Sequence, residues 1–102
     1  MTYFADAPCR SEMELERAAA VLQALAHPVR LRILEGLLSG ECCVGNMVQC
    51  LDLPQPLVSR HLAILRDAGI LESTADGRQR HYRVVSPVVS AVLASVLAGC
   101  EE

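Results

Sequence analysis

The sequence predicts a mainly α-helical domain that carries one small β-hairpin. Apolar residues recur with helical spacing along one face of a segment at about 54–68, which predicts an amphipathic helix. Asp76-Gly77 is a hairpin turn signal between two short strand-like runs. Five arginines lie within residues 54–85, on this helix and around this turn. A helix with a polar N-terminal half, followed by a basic hairpin, is typical of a winged helix-turn-helix that binds DNA.

Three helices are predicted upstream of that segment. Ser11 and Glu14 form a capping box that opens the first helix, with Ser11 as the N-cap. Pro28 suits the first position of the second helix, and a short third helix follows it. The three helices are expected at about 11–27, 28–38 and 43–51.

Two strands and a last helix are predicted downstream, at about 70–74, 79–85 and 87–98. The first and last helices together carry more apolar surface than one small winged domain can easily bury, and such a surplus usually marks a partner. We therefore expect a homodimer built from the first and last helices. Residues 1–10 are predicted to form a flexible N-terminal arm, and residues 11–102 a single DNA-binding and dimerisation domain.

The charge distribution matters more than the net charge of −3, which fits a generic nucleic-acid binder poorly. Residues 1–53 carry four arginines against seven acids, a net of −3, whereas residues 54–85 carry five arginines against three acids, a net of +2. The sequence contains no lysine, so phosphate contacts must come from arginine, hydroxyl groups or backbone amides. Positive charge is concentrated where DNA binding requires it.

The cysteine count and the hydropathy indicate the compartment. Five cysteines are an odd number in a short chain, which argues against a disulfide framework. The longest apolar runs are far shorter than a membrane span, and the first ten residues lack the regions of a secretory signal. We expect a cytoplasmic protein without a membrane association.

Three sequence blocks stand out: ALAHPVRLRILEGLLSGE at Ala24–Glu41, PLVSRHLAILRDAGIL at Pro56–Leu71 and DGRQRHYRV at Asp76–Val84. In this order and spacing they resemble the ArsR/SmtB family of metal- and thiol-responsive bacterial repressors. The likeness covers about residues 15–97. It implies a homodimeric winged-helix repressor that binds a palindromic operator and releases it when an inducer binds.

The predicted DNA contacts lie on two elements. The N-terminal residues of a recognition helix read base edges in the major groove, and here these are Gln55, Ser59 and Arg60. Arg66 is nearer the helix end and is assigned either to phosphate or to a surface ion pair. Arg78 and Arg80 at the wing tip are expected to reach phosphate or the minor groove. His61 is predicted to be a core-edge residue, and Tyr82 and Val84 to be core.

Cys42 and Cys43 are the candidate sensing residues. In the arsenic and cadmium sensors of the family a Cys-Val-Cys-Asp pattern stands here, and Cys43 matches its first cysteine while Gly45 occupies the second position. The family site is therefore not intact, although Cys42 offers a neighbouring thiol. Both cysteines are predicted at a helix N-terminus, where the dipole lowers a thiol pKa.

Two sensing mechanisms remain open for this cysteine pair. In the first, the thiolates bind a soft thiophilic ion such as arsenite, and Cys9 of the other protomer supplies a third thiolate. In the second, an oxidant forms a vicinal disulfide, which is strained because adjacent Cα atoms are only ~3.8 Å apart. Two inert loop residues are the remaining alternative. No permanently bound cofactor is expected.

The other cysteines and the other function classes are predicted as follows. Cys50 and Cys100 continue the apolar faces of their helices and are expected to be structural. The family's zinc site needs Asp and His on the last helix, and residues 86–98 contain neither. The sequence shows no phosphate-cradling glycine loop or paired catalytic carboxylates, so we expect no enzyme. A dimeric interaction module that does not bind DNA is the other alternative.

Overall fold

The computed structural model describes residues 10–39 and 42–100, without the side chains of residues 42–45. Its helices are α1 (Glu12–Leu25), α2 (Pro28–Leu38), α3 (Val44–Leu51), α4 (Gln55–Asp67) and α5 (Pro87–Gly99), and its strands are β1 (Cys42–Cys43), β2 (Leu71–Asp76) and β3 (Gln79–Val84). The predicted fold class, mainly helical with a small β-hairpin wing, is confirmed. Within the described ranges, no helix combines the length and apolar character that crossing a bilayer requires.

The helix starts follow from local capping. The Ser11 hydroxyl accepts a hydrogen bond from the Glu14 N–H at 3.1 Å, as the predicted N-cap requires, but the Glu14 carboxylate lies 3.4 Å from the Arg10 guanidinium rather than returning to Ser11. α1 ends at Leu25, earlier than predicted, because His27 is the N-cap of α2: its Nδ1 accepts from the Val29 N–H at 3.1 Å.

A three-stranded antiparallel sheet has the order β1-β3-β2, so β3 is the central strand. β2 and β3 form the predicted hairpin, with Leu71 opposite Val84 at one end and Asp76 opposite Gln79 at the other. β1 was not predicted. Cys43 was expected to begin a helix, but it lies in this strand and α3 begins at Val44.

One core joins the helices to the sheet. Its fully buried side chains come from α2, α4, the start of the hairpin and α5, and they are Leu34, Val58, Leu62, Leu65, Ile70 and Val89. Tyr82 of β3 is buried as predicted, and Val84 is half-buried. The core therefore fixes α4 and β3, the two elements that carry the predicted DNA contacts.

The terminal helices retain large exposed apolar side chains. On α1 these include Met13 and Leu22, which are 62% and 58% exposed, and on α5 they include Val88 and Val96, which are 65% and 50% exposed. The inner residues of α5, Val89 and Leu93, are buried against the rest of the domain. The predicted surplus of apolar surface on both helices is present.

Candidate nucleic-acid interface

A tight turn between α3 and α4 sets the direction of the second helix. Asp52 adopts a φ of 54°, in the left-handed region that Asp tolerates better than most side chains, and its N–H donates to the Val48 carbonyl at 3.0 Å. Pro54 then stands at the N-cap of α4. The α3-turn-α4 unit is thus a helix-turn-helix, with α4 in the recognition position.

α4 divides cleanly into a buried and an exposed face. Val58, His61, Leu62 and Leu65 are the buried residues. Gln55, Ser59 and Arg60 are exposed. The four-residue spacing aligns Gln55 with Ser59, and Arg60 lies about 100° further round the helix from Ser59. The structure therefore leaves the three predicted base-reading residues exposed to solvent in the N-terminal half of the helix.

No acidic side chain lies in the first turn of α4 to neutralise the positive end of its helix dipole. Pro54 makes no side-chain capping bond. Pro56 has no N–H, and the Leu57 and Val58 N–H groups donate to the Pro54 carbonyl, so it is mainly the positive end of the helix dipole that favours a nearby anion such as a DNA phosphate. This end of the helix suits contact with the DNA backbone.

The other end of α4 fixes where the wing begins. Gly69 follows the helix with a φ of +79°, and its N–H donates to the Arg66 carbonyl at 2.9 Å. The Ile70 N–H donates to the Leu65 carbonyl at 3.0 Å, and both of these side chains are buried. These two bonds form a Schellman motif, which ends the helix as the sequence predicted and directs the chain into β2.

The wing turn consists of Gly77 and Arg78. Gly77 has a φ of +64°, at the first of the two loop positions, which is the glycine position of a type II′ hairpin turn. Arg78 lies at the tip and is exposed, and Arg80 is exposed on β3. The Arg80 guanidinium donates to the Ser73 hydroxyl of β2 at 3.1 Å, which holds it across the hairpin.

Two other arginines of this region are matched by acids. Arg66 lies 3.5 Å from the Asp67 carboxylate, so of its two predicted roles the structure favours the surface ion pair. Arg83 lies 3.4 Å from the Glu72 carboxylate of the neighbouring strand. Among the described residues, no salt bridge involves Arg60, Arg78 or Arg80. The uncompensated positive charge is therefore on the N-terminal half of α4 and on the wing tip.

His61 is the buried member of a polar cluster behind the recognition surface, whose other members are half-buried. It is 6% exposed, as expected of a core-edge histidine, and its Nδ1 lies 3.3 Å from the Arg30 guanidinium. The His27 ring lies beside it, with 4.6 Å between ring centroids. Burial, followed by the neighbouring His27, Arg30 and Arg60, lowers the pKa of His61 below its usual value of 6.5.

Arg30 is a residue that sequence reasoning missed. Besides His61, its guanidinium binds two carbonyls at the end of α1, those of Ala24 at 2.6 Å and Gln23 at 3.3 Å. A signal was present, because Arg30 stands three and four residues before the buried Ile33 and Leu34, on the inward face of α2. An arginine at such a position must find buried acceptors.

The backbone of the candidate sensing residues lies beside the wing. Cys42 is opposite Tyr82 and Cys43 is opposite His81, both in the central strand β3. Cys9 lies outside the described residues. Cys50 and Cys100 were expected to be structural, but both are exposed: Cys50 projects from α3 beside the buried Met47, and Cys100 caps α5 where that helix leaves the core.

The sequence of the chain is similar to those of known bacterial regulators. Residues 27–73 match the family described as bacterial regulatory protein, arsR family. The chain is 38% identical over 88 residues to the HTH-type transcriptional repressor SmtB of Mycobacterium tuberculosis, an alignment that covers 86% of this chain and 65% of that protein. The chain thus spans about two thirds of the length of that relative.

Solved structures share the fold over nearly the whole chain. HlyU from Vibrio cholerae superposes with a TM-score of 0.80 at 32% identity, covering 89% of this chain and all of that one. The homodimeric winged helix-turn-helix DNA-binding domain Mb0332 from Mycobacterium bovis gives a TM-score of 0.79 at 27% identity, covering 92% and 90%. By sequence and by structure, the chain belongs to the ArsR family of bacterial regulatory proteins.

Proposed function

We propose that this chain is a homodimeric DNA-binding transcriptional repressor that leaves its operator when a thiol-reactive signal acts on Cys42 and Cys43. The observation that carries the proposal is the uncompensated basic surface, formed by the exposed N-terminal half of α4 and the wing tip. A recognition helix of this kind reads base edges while a basic wing contacts phosphate or the minor groove. Membership of a family of bacterial regulators, and relatives described as repressors, support the same function.

The exposed apolar faces of α1 and α5 support the homodimer. At least half of the residue surface is exposed at several apolar positions of these two helices, among them Met13, Leu22, Val88 and Val96. Burying them against a second copy removes a large apolar surface from water. The Mb0332 domain, which shares the fold, is described as homodimeric. A two-fold dimer presents two copies of α4 and of the wing to two half-sites of an operator.

The position of β1 supports a sensing role for Cys42 and Cys43. Their backbone pairs directly with His81 and Tyr82 of the central wing strand. A chemical event that alters the backbone at these two cysteines must therefore disturb the pairing of β3. α3, which starts at the next residue, packs against α4, so the same event also reaches the recognition helix.

A soft thiophilic ion, with arsenite as the first candidate, is the proposed inducer. Soft ions select thiolate ligands, and Cys42 and Cys43 supply two in adjacent positions. Cys9 of the other protomer is the proposed third ligand. An oxidant acting on the same cysteine pair is the competing signal, and it differs from the ion because it leaves a disulfide and no bound ion.

The first experiment measures binding to the promoter DNA upstream of the protein's own gene. Fluorescence anisotropy at several salt concentrations should show tight binding that weakens with salt, because phosphate contacts release counterions. Arg60→Ala should weaken binding at least about tenfold, the usual cost of one good base contact, without changing the thermal unfolding temperature. Arg32→Ala, an exposed arginine on α2, is the matched control. Equal effects of the two substitutions would contradict the assignment of α4.

The second experiment tests the sensing residues. The reduced protein bound to promoter DNA is challenged with arsenite, antimonite, cadmium, zinc or hydrogen peroxide. Cys43→Ser should bind DNA but no longer release it, whereas Cys50→Ser, which alters an exposed cysteine on α3, should respond normally. A Cys43→Ser protein that still responds to both arsenite and peroxide would refute the proposed site. Release by peroxide alone, reversed by dithiothreitol, would replace the ion with an oxidant.

A further inference from the structure

A partly buried polar cluster connects three helices behind the DNA-binding surface. Arg30 of α2 donates to the Ala24 and Gln23 carbonyls at the C-terminal end of α1, and to Nδ1 of His61 on α4. The lengths of these bonds are 2.6, 3.3 and 3.3 Å. One side chain therefore ties a helix of the proposed dimer interface to the recognition helix. We call Arg30, His27 and His61 the α1–α4 cluster.

The cluster requires a neutral His61. A guanidinium has donors and no acceptor, so Nδ1 of His61 must accept, which leaves the proton on Nε2. A second proton on the ring would occupy Nδ1 and remove that acceptor. It would also place a cation against the half-buried Arg30, in a site where His61 is 6% exposed and water screens the repulsion less than at the surface.

The groups that face His61 do not compensate for an added proton. They are His27 at the junction of α1 and α2, Arg30 on α2 and Arg60 on α4 itself, and each of them disfavours the imidazolium. The nearest carboxylate along α4, that of Asp67, is exposed and lies 3.5 Å from Arg66. Protonation of His61 is therefore opposed by burial and by every charged group that acts on it.

We propose that Arg30 is a positioning residue that, with neutral His61 as its acceptor, fixes α4 relative to α1, and that protonation of His61 weakens operator binding by loosening this link. The inference rests on the proposed function, because it assigns a proton-sensitive control to the same DNA-binding helix. In a two-fold dimer the angle between α1 and α4 sets the separation of the two recognition helices. A change in that angle affects both half-sites at once.

The expected change of operator affinity on acidification is opposite to the change that overall charge would cause. Acidification makes any protein more positive, which by itself strengthens binding to the DNA backbone. Loss of a hydrogen bond from a charged donor costs more than about tenfold in affinity, but protonation of His61 is only partial at about pH 5.5 because its pKa is lowered. Operator binding is therefore expected to weaken by between about threefold and tenfold from about pH 7.5 to about pH 5.5. Weaker binding at acidic pH is thus a specific signature of the cluster.

The test compares three proteins by fluorescence anisotropy with promoter DNA at both pH values. The wild type should bind more weakly at acidic pH. His61→Asn keeps an acceptor close to the position of Nδ1 but cannot titrate, so its affinity should no longer fall with acidification. His81→Asn is the matched control, because His81 is half-buried on the wing near Asp76, and this variant should keep the wild-type decrease. A decrease that persists in His61→Asn would overturn the proposal.

A second measurement needs no variant at His61. Linkage requires that if protonation weakens DNA binding, DNA binding lowers the pH at which His61 titrates. Nearby phosphates would raise that pH, so the direction separates the two effects. The imidazole NMR resonances of His61 in the wild-type protein should therefore titrate at lower pH in the operator complex than in the free protein. Equal or higher midpoints in the complex would overturn the proposal.

The outcomes also separate this inference from the function on which it rests. A protein that binds promoter DNA equally well at both pH values retains the proposed function and refutes the α1–α4 coupling. A protein that binds at neither pH refutes both. Arg30→Gln, which removes the charge and cannot reach three acceptors, should weaken binding at neutral pH while leaving the salt dependence unchanged. A lower salt dependence would instead mean that Arg30 itself contacts phosphate.

Discussion

Arg78 and Arg83 are both exposed wing arginines, but they should contribute differently to DNA binding. Arg78 is at the tip, and no salt bridge among the described residues involves it, whereas Arg83 lies 3.4 Å from Glu72. Each phosphate contact contributes about 0.9 to the slope of log affinity against log salt. Since a homodimer carries two copies, Arg78→Ala should lower that slope by about 1.8. Between about 50 and about 200 mM salt, the wild-type affinity should fall about tenfold more than that of the variant.

Arg83→Ala is the matched control for this measurement. Its guanidinium already neutralises a carboxylate, so its removal frees Glu72 without removing a phosphate contact, and the slope should change by much less. Anisotropy titrations of both variants at four or five salt concentrations give the slopes, and thermal unfolding confirms that both fold. Equal changes in slope for the two variants would refute the view that ion pairing divides the wing arginines into two groups.

Three further predictions concern stability and assembly. Gly69→Ala should lower the free energy of unfolding by about 1 kcal/mol in urea titrations, because the φ of +79° disfavours any Cβ although the space around it is open. An unchanged free energy of unfolding would contradict the Schellman geometry. Val88→Glu should convert dimer to monomer in analytical ultracentrifugation without unfolding it, because this side chain is 65% exposed; an unchanged dimer would exclude this face of α5 from the interface. Because the pKa of His61 is lowered in the folded protein, the unfolded chain takes up a proton at this residue first as the pH falls, so the free energy of unfolding should be at its full value above about pH 6.5 and decline below it. His61→Phe should flatten that decline in urea titrations at several pH values. A decline as steep as in the wild type would assign it to other groups.

The helices could be predicted from sequence because each carries its own local signals. Ser11 acts through its hydroxyl, Pro28 through its fixed φ and Gly69 through its own N–H, each within a few residues, so these signals need no tertiary information. The capping role of His27 was missed, because an imidazole is an unusual N-cap and a continuation of α1 to His27 fitted the pattern equally well. The error at this helix end arose because two local structures, a longer α1 and an N-cap for α2, both fit the same residues.

The features that could not be predicted depend on contacts between distant residues. β1 has only two residues, too few for any periodicity, and it exists because Cys42 and Cys43 meet β3 almost forty positions later. The pairing of Arg83 with Glu72 depends on the register of β2 and β3. The burial of the α4 face was predictable from spacing, but the partner that its histidine found on α2 was not.

The strand order has a mechanistic consequence for the proposed sensor. A two-stranded hairpin is only marginally stable in water, and a third strand adds support. Here β1 supplies that third strand to β3, which carries Arg80 and continues into the tip at Arg78. Chemistry that displaces the backbone at Cys42 and Cys43 should therefore loosen the wing before it moves α4, which is held by four fully or almost fully buried side chains.

Amide hydrogen exchange can distinguish this order of events. Exchange at His81 and Tyr82, the residues opposite Cys43 and Cys42, should accelerate when the inducer is added to the free protein, while the amides of the buried face of α4 remain protected. Cys43→Ser treated with the same inducer is the control and should show no change. Acceleration confined to α4, with β3 still protected, would mean that the signal passes through α3 into the recognition helix, and the wing would then have no part in release.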